Sequence, residues 1–271
     1  MRMDENQALQ ERLDQEAIDA TKAPIMDHLR ELRSCIKWSL CSLIIFFIIG
    51  LVLFDPLFQL LTAPLYEALS GANLDTTVKY RTMPGAFFFQ VRLGLLFSVL
   101  TSTPVIFYQI WRFVAPGLKH NEKRLAVPFA MATSTFFALG VCFCYAFVLP
   151  MAFKFFLSYA QDLQGKVLEP DIDLEGYLDT VNKLILAFGV VFQTPIFLGF
   201  LSWIELITYK TLIKYWRWAT LSTFILAAML TPPDYVTQVM LAIPLLGFYG
   251  LSILISYQIY RIHERRRANT P

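Results

Sequence analysis

Charged residues are scarce in this chain of 271 residues, and their scarcity argues against a soluble fold. Asp, Glu, Lys and Arg make up 16% of the sequence, whereas hydrophobic residues make up 56%. A soluble domain carries about 25% charged residues. Six windows of 16 to 29 residues contain no charge, and they span residues 38–54, 93–111, 125–153, 184–204, 218–233 and 235–260. Since a helix needs about 20 apolar residues to cross a bilayer, the sequence predicts an all-α polytopic membrane protein with six transmembrane helices.

Residues for catalysis and metal binding are also few. The sequence has four cysteines and three histidines. The cysteines form no Cys-x-x-Cys pair and the histidines are scattered, so neither a redox pair nor a metal site is expected. There is no phosphate-binding glycine loop and no dinucleotide fingerprint. We therefore expect no enzyme activity, no cofactor, no metal and no nucleic-acid partner, and the energy for any transport must come from a partner or a membrane gradient.

The chain divides into a membrane domain and two polar tails. Residues 1–23 predict an acidic cytoplasmic tail that lacks the basic and then apolar order of a cleavable secretory signal. Residues 24–260 predict the six-helix membrane domain, and residues 261–271 a basic cytoplasmic tail. The expected spans are about 36–54, 87–110, 126–149, 181–203, 217–231 and 236–256.

The basic residues predict the orientation of the helices. Six spans place both termini on one side, and the loops and flanks of that side carry fourteen Lys and Arg against six on the other side. Because basic loops stay in the cytoplasm, both termini are predicted to be cytoplasmic. All five tryptophans fall at the same boundary, where an aromatic belt is typical. The expected location is the bacterial cytoplasmic (inner) membrane, with a thylakoid or mitochondrial homologue as the alternative.

The fifth and sixth helices are predicted to be short. Arg217 and Asp234 bound an uncharged run of 16 residues that ends in a pair of prolines. A helix of that length reaches about 24 Å, which is less than the ~30 Å hydrocarbon core. Asp234 is therefore expected at or below the outer interface of the membrane.

Two kinds of polar residue are candidates for function. Gln193 lies near the middle of span four, where an amide needs a hydrogen-bond partner. That partner could be a neighbouring helix of the same chain or another molecule. Glu31 and Glu122 stand among basic residues on the predicted cytoplasmic face. They could be counter-charges, or they could bind a cationic ligand, since a carboxylate accepts two hydrogen bonds from a guanidinium group.

Several segments resemble TatC, the multi-spanning receptor subunit of the twin-arginine protein translocase. They are residues 28–33 (HLRELR), 62–65 (TAPL), 111–118 (WRFVAPGL), 121–124 (NEKR), 188–195 (FGVVFQTP) and 230–234 (LTPPD). Their order and predicted topology match the family over about residues 24–260. Any one of these motifs alone is weak, but together they are specific.

The resemblance implies a function and a binding site. The TatC family exports folded proteins whose signal peptides carry paired arginines, it is powered by the proton-motive force, and it receives the signal on the cytoplasmic face. By resemblance, Glu31 and Glu122 would pair with the signal arginines. Phe113 would help to shape the site, and Arg33 would support it. The implied fold is a six-helix cup.

The resemblance also implies contacts inside the membrane and several partners. Pro64 and Asp234 match positions tied to function in the family. Many members of the family carry glutamate where this chain has Gln193. Because glutamine cannot ionise, only a hydrogen-bonding role with a helix or a partner is expected at this position. The implied partners are twin-arginine signal peptides of folded precursors, single-span subunits of the TatA and TatB type, membrane lipid and further copies of the chain.

Three other classes of function remain as alternatives. An ion-coupled secondary transporter needs ionisable groups at the membrane midplane and tends to show repeated halves, neither of which the six windows provide. A membrane-embedded enzyme needs clustered His, Asp, Glu or Ser at one depth. A purely structural assembly subunit fits the hydrophobic pattern but leaves the acidic residues of the cytoplasmic face unexplained.

Overall fold

The structure, a computed structural model, describes residues 2–71, 83–114, 126–161, 173–230 and 235–268, which are almost entirely helical. The helices are α1 Arg2–Val52, α2 Phe54–Gly71, α3 Gly85–Val114, α4 Ala126–Phe143, α5 Leu149–Gln161, α6 Leu174–Val191, α7 Thr194–Trp203, α8 Tyr209–Lys214, α9 Trp216–Leu230 and α10 Tyr235–Ala268. A π-helical turn, Cys144–Val148, joins α4 to α5. The predicted all-helical class is confirmed.

Five segments are long and apolar enough to cross a membrane. They are His28–Val52, Gly85–Val114, Val127–Leu157, Leu174–Trp203 and Leu241–Arg265. Each has 25 to 31 residues, which is sufficient for a hydrocarbon core of about 30 Å. These segments overlap five of the six predicted spans.

The remaining predicted span corresponds to α9. This helix has 15 residues and reaches about 22 Å, so it is short, as the spacing of charges predicts. The prediction of a short sixth helix is wrong for the helix as a whole, because α10 has 34 residues. Its last part, Arg261–Ala268, contains no proline or glycine and is rich in arginine, which favours helix. The helix therefore continues past its apolar stretch.

Helices α1 and α3 pack closely along what we call the α1–α3 seam. A Cβ atom added at Gly50 would lie 3.2 Å from the Gly94 Cα and 3.0 Å from a ring carbon of Phe97. Small residues let membrane helices approach one another in this way. Four residues from Gly94 along α3, the Ser98 hydroxyl donates a hydrogen bond of 2.6 Å to the Leu43 carbonyl. The seam is thus fixed by close backbone packing and by a bond between the helices.

The buried core lies among α2, α3, the π-helical turn, α5, α6, α9 and α10. Its fully buried large side chains include Leu69, Phe89, Leu149, Leu178 and Phe188. Helix α4 crosses α6 where Gly189 faces Phe137. A Cβ atom at Gly189 would lie 2.6 Å from the Phe137 ring, so this position accepts no larger residue without a shift. The core therefore holds α4 and α6 at a fixed distance.

Pro64 interrupts the hydrogen bonding of α2, and two tyrosines compensate for it. Proline has no N–H, so the carbonyl four residues earlier, at Leu60, loses its donor within the helix. The Tyr145 hydroxyl donates to this carbonyl at 2.6 Å. The Tyr177 hydroxyl donates to the next carbonyl, at Leu61, also at 2.6 Å. The interruption consequently ties α2 to the π-helical turn and to α6.

We expect Tyr177→Phe to lower the free energy of unfolding by about 1–2 kcal/mol, because it removes a buried donor from a backbone carbonyl and leaves the ring in place. Thermal unfolding of the purified protein in detergent measures this. Tyr209→Phe is the matched control, since the Tyr209 ring packs on Tyr257 and Tyr260 while its hydroxyl bonds to no atom of the described residues. A Tyr177→Phe protein as stable as wild type would contradict the prediction.

Candidate functional site

One end of the helix bundle carries most of the positive charge. Here the span of α1 begins, α3 ends, α7 ends, α9 begins and α10 ends. The basic residues at this end whose side chains the structure describes are Arg30, Arg33, Lys37, Arg112, Lys210, Lys214, Arg217, Arg261 and Arg265. Those described at the opposite end are Arg92, Lys154 and Lys183. We call the first of these ends the basic end.

A carboxylate and two aromatic rings meet at the basic end. The rings of His28 and Phe113 are stacked, with centroids 4.2 Å apart and planes 17° apart. One turn after His28 on α1, a Glu31 carboxylate oxygen lies 3.6 Å from the His28 Nδ1. The His28 and Glu31 side chains are 47% and 51% exposed. These three residues, the His28 cluster, form an accessible site made from two helices.

The α1–α3 seam explains why these residues meet. The two helices run in opposite directions and touch at Gly50 and Gly94. From there, His28 lies 22 positions away along α1, and Phe113 lies 19 positions away along α3. Both distances correspond to about 30 Å of helix. Glu31 shares a face with His28 because residues three apart are neighbours on a helix.

Of the other two residues predicted to bind the signal peptide, the structure describes Arg33 but not Glu122. Arg33 is exposed on α1, two residues beyond Glu31. Glu122 lies outside the described residues, in the interval 115–125. The structure thus brings Glu31 and Phe113 into one cluster, whereas the roles of Arg33 and Glu122 stay predictions.

Two of the three predicted contacts inside the membrane are described. Pro64 is buried in α2, where the tyrosine hydrogen bonds compensate for its missing donor. Asp234 lies outside the described residues, in the interval 231–234. Gln193 lies at the junction between α6 and α7 and belongs to a polar network with α3 and α4.

The Gln193 side chain joins helices that are distant in sequence. Its Nε2 donates to the Thr133 carbonyl at 3.1 Å and to the Gly189 carbonyl at 3.3 Å. The Thr133 hydroxyl in turn accepts the indole N–H of Trp111 at 3.2 Å. The buried Gln193 Oε1 has no hydrogen-bond partner within the described part of the chain. The amide thus links helices of its own chain, and its oxygen is left as an acceptor for an additional donor.

A second acidic site lies at the basic end, between α7 and α10. A cavity of about 360 Å³ is lined by Ser202, Glu205, Ile207, Thr208, Ser256, Tyr260, His263 and Glu264. The His263 Nδ1 lies 3.3 Å from a Glu205 carboxylate oxygen. The Ser202 hydroxyl donates to Ser256 at 2.7 Å, which holds the two helices together beside this cavity.

Sequence reasoning missed some residues of these sites. His28 begins the motif at residues 28–33, but nothing in that motif predicts its stack on Phe113. Thr133 and Trp111 are ordinary span residues by pattern, and only the packing of α3 against α4 shows that they join the Gln193 network. The sequence holds one indirect signal for this network. A glutamine in the middle of a span needs a hydrogen-bond partner, but the pattern does not identify that partner.

Known proteins resemble the chain over most of its length. The family model described as "Sec-independent protein translocase protein (TatC)" matches residues 27–244. A protein of that name from Campylobacter jejuni is 38% identical over 232 residues, which is 86% of this chain and 93% of the relative. Another from Desulforapulum autotrophicum is 37% identical over 233 residues, covering 86% of this chain and 84% of the relative.

Solved structures agree with these relatives. A crystal structure of the twin arginine translocase receptor TatC matches with a TM-score of 0.73 at 32% identity, covering 86% of this chain and 99% of the other. A structure of the receptor in the detergent DDM gives the same score and identity, with 84% and 99% covered. The residues matched by the family model include the His28 cluster and Gln193, the relatives and structures cover most of the chain, and this chain therefore belongs to the TatC family of Sec-independent protein translocase proteins.

Proposed function

We propose that this TatC protein is the receptor subunit of a twin-arginine translocase and binds the paired arginines of signal peptides at its basic end. The observation that carries the proposal is the His28 cluster, in which the Glu31 carboxylate is exposed beside a pair of stacked rings. A guanidinium group pairs with a carboxylate through two parallel, charge-assisted hydrogen bonds. The solved structures that the chain resembles are of a twin arginine translocase receptor.

The positive charge of the basic end does not prevent such binding. Repulsion between exposed charges is screened beyond about 8 Å at physiological ionic strength. A guanidinium group bonded to a carboxylate lies within about 3 Å of it, so the local pair dominates over the more distant basic residues. We assign this pairing to Glu31 and Glu122, with Arg33 as a supporting residue and Phe113 as a wall of the site.

The same charge distribution supports a cytoplasmic basic end. Of the Lys and Arg residues whose side chains the structure describes, nine lie there and three at the opposite end, and basic segments flanking membrane spans stay in the cytoplasm. We infer that α9 also crosses the membrane, which gives six crossings in all, so that both termini are cytoplasmic and the bundle forms a cup in the bacterial inner membrane. The sequence contains no phosphate-binding loop, which supports a proton-motive force as the source of energy.

The short α9 supports docking of single-span subunits of the TatA and TatB type. Its exposed apolar residues are Trp218, Leu221, Ile225, Leu226 and Met229. A helix of about 22 Å leaves part of a 30 Å hydrocarbon core uncovered beside it, and a partner helix at that place would complete the wall. Asp234, which follows this helix in the sequence by four residues, and the unpaired oxygen of Gln193 are the polar contacts that we propose for such partners or for an inserted signal.

We expect Glu31→Gln and Glu122→Ala each to weaken binding of a twin-arginine signal peptide by roughly tenfold or more, since each removes a charge-assisted hydrogen bond. The measurement is the Kd of a fluorescent peptide for the full chain in lipid nanodiscs. Folding should be preserved in the Glu31 variant, because that side chain is half exposed. Glu264→Gln, at the same end, is the control, and an unchanged Kd in both test variants would overturn the proposed site.

We expect Gln193→Leu to insert and fold but to export several-fold less of a reporter protein with a twin-arginine signal. The substitution removes two hydrogen bonds of about 0.6 kcal/mol each and also an unpaired buried oxygen, so the net change in stability is small. The substitution also removes the Gln193 Oε1, which is the acceptor that we propose for a partner. Ser202→Ala, which removes a buried hydrogen bond between α7 and α10, is the control, and normal export at normal protein abundance would refute this role.

A further inference from the structure

We propose that His28 and Phe113 form a stacking platform for a guanidinium group, and that His28 is a residue that selects arginine over lysine in the bound signal. This inference rests on the proposed function and deepens it, because it assigns a specificity-determining role to a residue next to Glu31. Glu31 supplies charge to the site, and charge alone does not distinguish the two basic side chains.

The geometry of the two rings allows a third planar group to stack on them. The imidazole of His28 and the ring of Phe113 lie nearly parallel, with centroids 4.2 Å apart. Each ring therefore covers one face of the other and leaves one face uncovered by its partner. The His28 side chain is 47% exposed, so the imidazole is accessible from the solution at the basic end.

The position of Glu31 completes the site for a planar cation. Its carboxylate oxygen lies 3.6 Å from the His28 Nδ1, which is longer than a hydrogen bond. The carboxylate consequently lies near the edge of the imidazole without being bonded to it. A guanidinium group placed flat on His28 can turn one of its N–H edges toward this carboxylate and keep its face against the ring.

Arginine and lysine differ in how they use such a surface. The guanidinium group is planar and weakly hydrated, and it stacks on aromatic faces, whereas the ammonium group of lysine is compact and strongly hydrated. Both cations can pair with Glu31. Arginine gains more from the platform while it pairs with Glu31, because its planar group stacks flat and is less hydrated, so the ring of His28 contributes to the preference between them.

A purely structural role for the stack is less consistent with its surroundings. The α1–α3 seam is already fixed by the contact at Gly50 and by the hydrogen bond from Ser98 to the Leu43 carbonyl. The stack lies about 30 Å from the Gly50 contact, and His28 is half exposed. Loss of the imidazole should therefore change the selectivity of binding more than the stability of the fold.

The test compares two peptides and three variants of the full chain in lipid nanodiscs. The quantity measured is the ratio of Kd for a twin-lysine signal peptide to Kd for the twin-arginine peptide. We expect His28→Ala to lower this ratio roughly two- to fivefold, the size of a cation–aromatic contact at an exposed site. His28→Phe keeps the ring and should retain the wild-type ratio. His263→Ala removes another imidazole at the basic end and should also retain it.

The outcomes separate this inference from the proposed function. A wild-type ratio in His28→Ala, or a reduced ratio in His28→Phe, overturns the platform and leaves binding through Glu31 intact. Equal binding of both peptides by the wild-type protein, or binding of neither, overturns the receptor function and the platform together. If His28→Ala unfolds, His28→Gln takes its place, since it keeps a polar side chain on α1 without a ring.

Discussion

The close approach of α1 and α3 is the constraint on which the proposed site depends. Gly50, near the far end of the span from His28, and the bond from Ser98 to the Leu43 carbonyl fix the register of these helices. Because each residue turns a helix by about 100°, a slip of one position would carry His28 away from Phe113. Packing inside the membrane therefore determines which side chains meet at its surface.

Besides the packing of α1 on α3, the fold depends on hydrogen bonds at places where a helix is interrupted. In a hydrocarbon environment an unpaired backbone group costs several kcal/mol, so every break in a helix needs a donor or acceptor from elsewhere. Pro64 leaves the Leu60 carbonyl free, and Tyr145 of the π-helical turn supplies the donor. At the α6–α7 junction, the Gln193 N–H bonds to the Val190 carbonyl, and the Gln193 Nε2 donates to the Gly189 carbonyl of α6 and to the Thr133 carbonyl of α4. In both cases a locally weaker helix becomes attached to its neighbours.

Local features were predictable from the sequence, and features that depend on register were not. The helical class and five of the spans follow from hydrophobicity, and the short α9 follows from the positions of Arg217 and Asp234. The prediction for the length of α10 was wrong, because an apolar window does not indicate whether the charged residues after it continue the helix. The charge pattern and the family resemblance both point to Glu31, the resemblance alone points to Phe113, and only the seam shows that His28 joins them. The roles of Glu122 and Asp234 remain predictions outside the described residues.

The most direct test of the receptor account is photo-crosslinking in membranes. A twin-arginine signal peptide carries a photoreactive residue next to its arginine pair, and a twin-lysine peptide serves as the control. The account predicts adducts on α1 near Glu31 and on the end of α3 near Phe113, formed by the arginine peptide in clear excess. Equal labelling by both peptides, adducts confined to the opposite end of the bundle, or no adducts would contradict it.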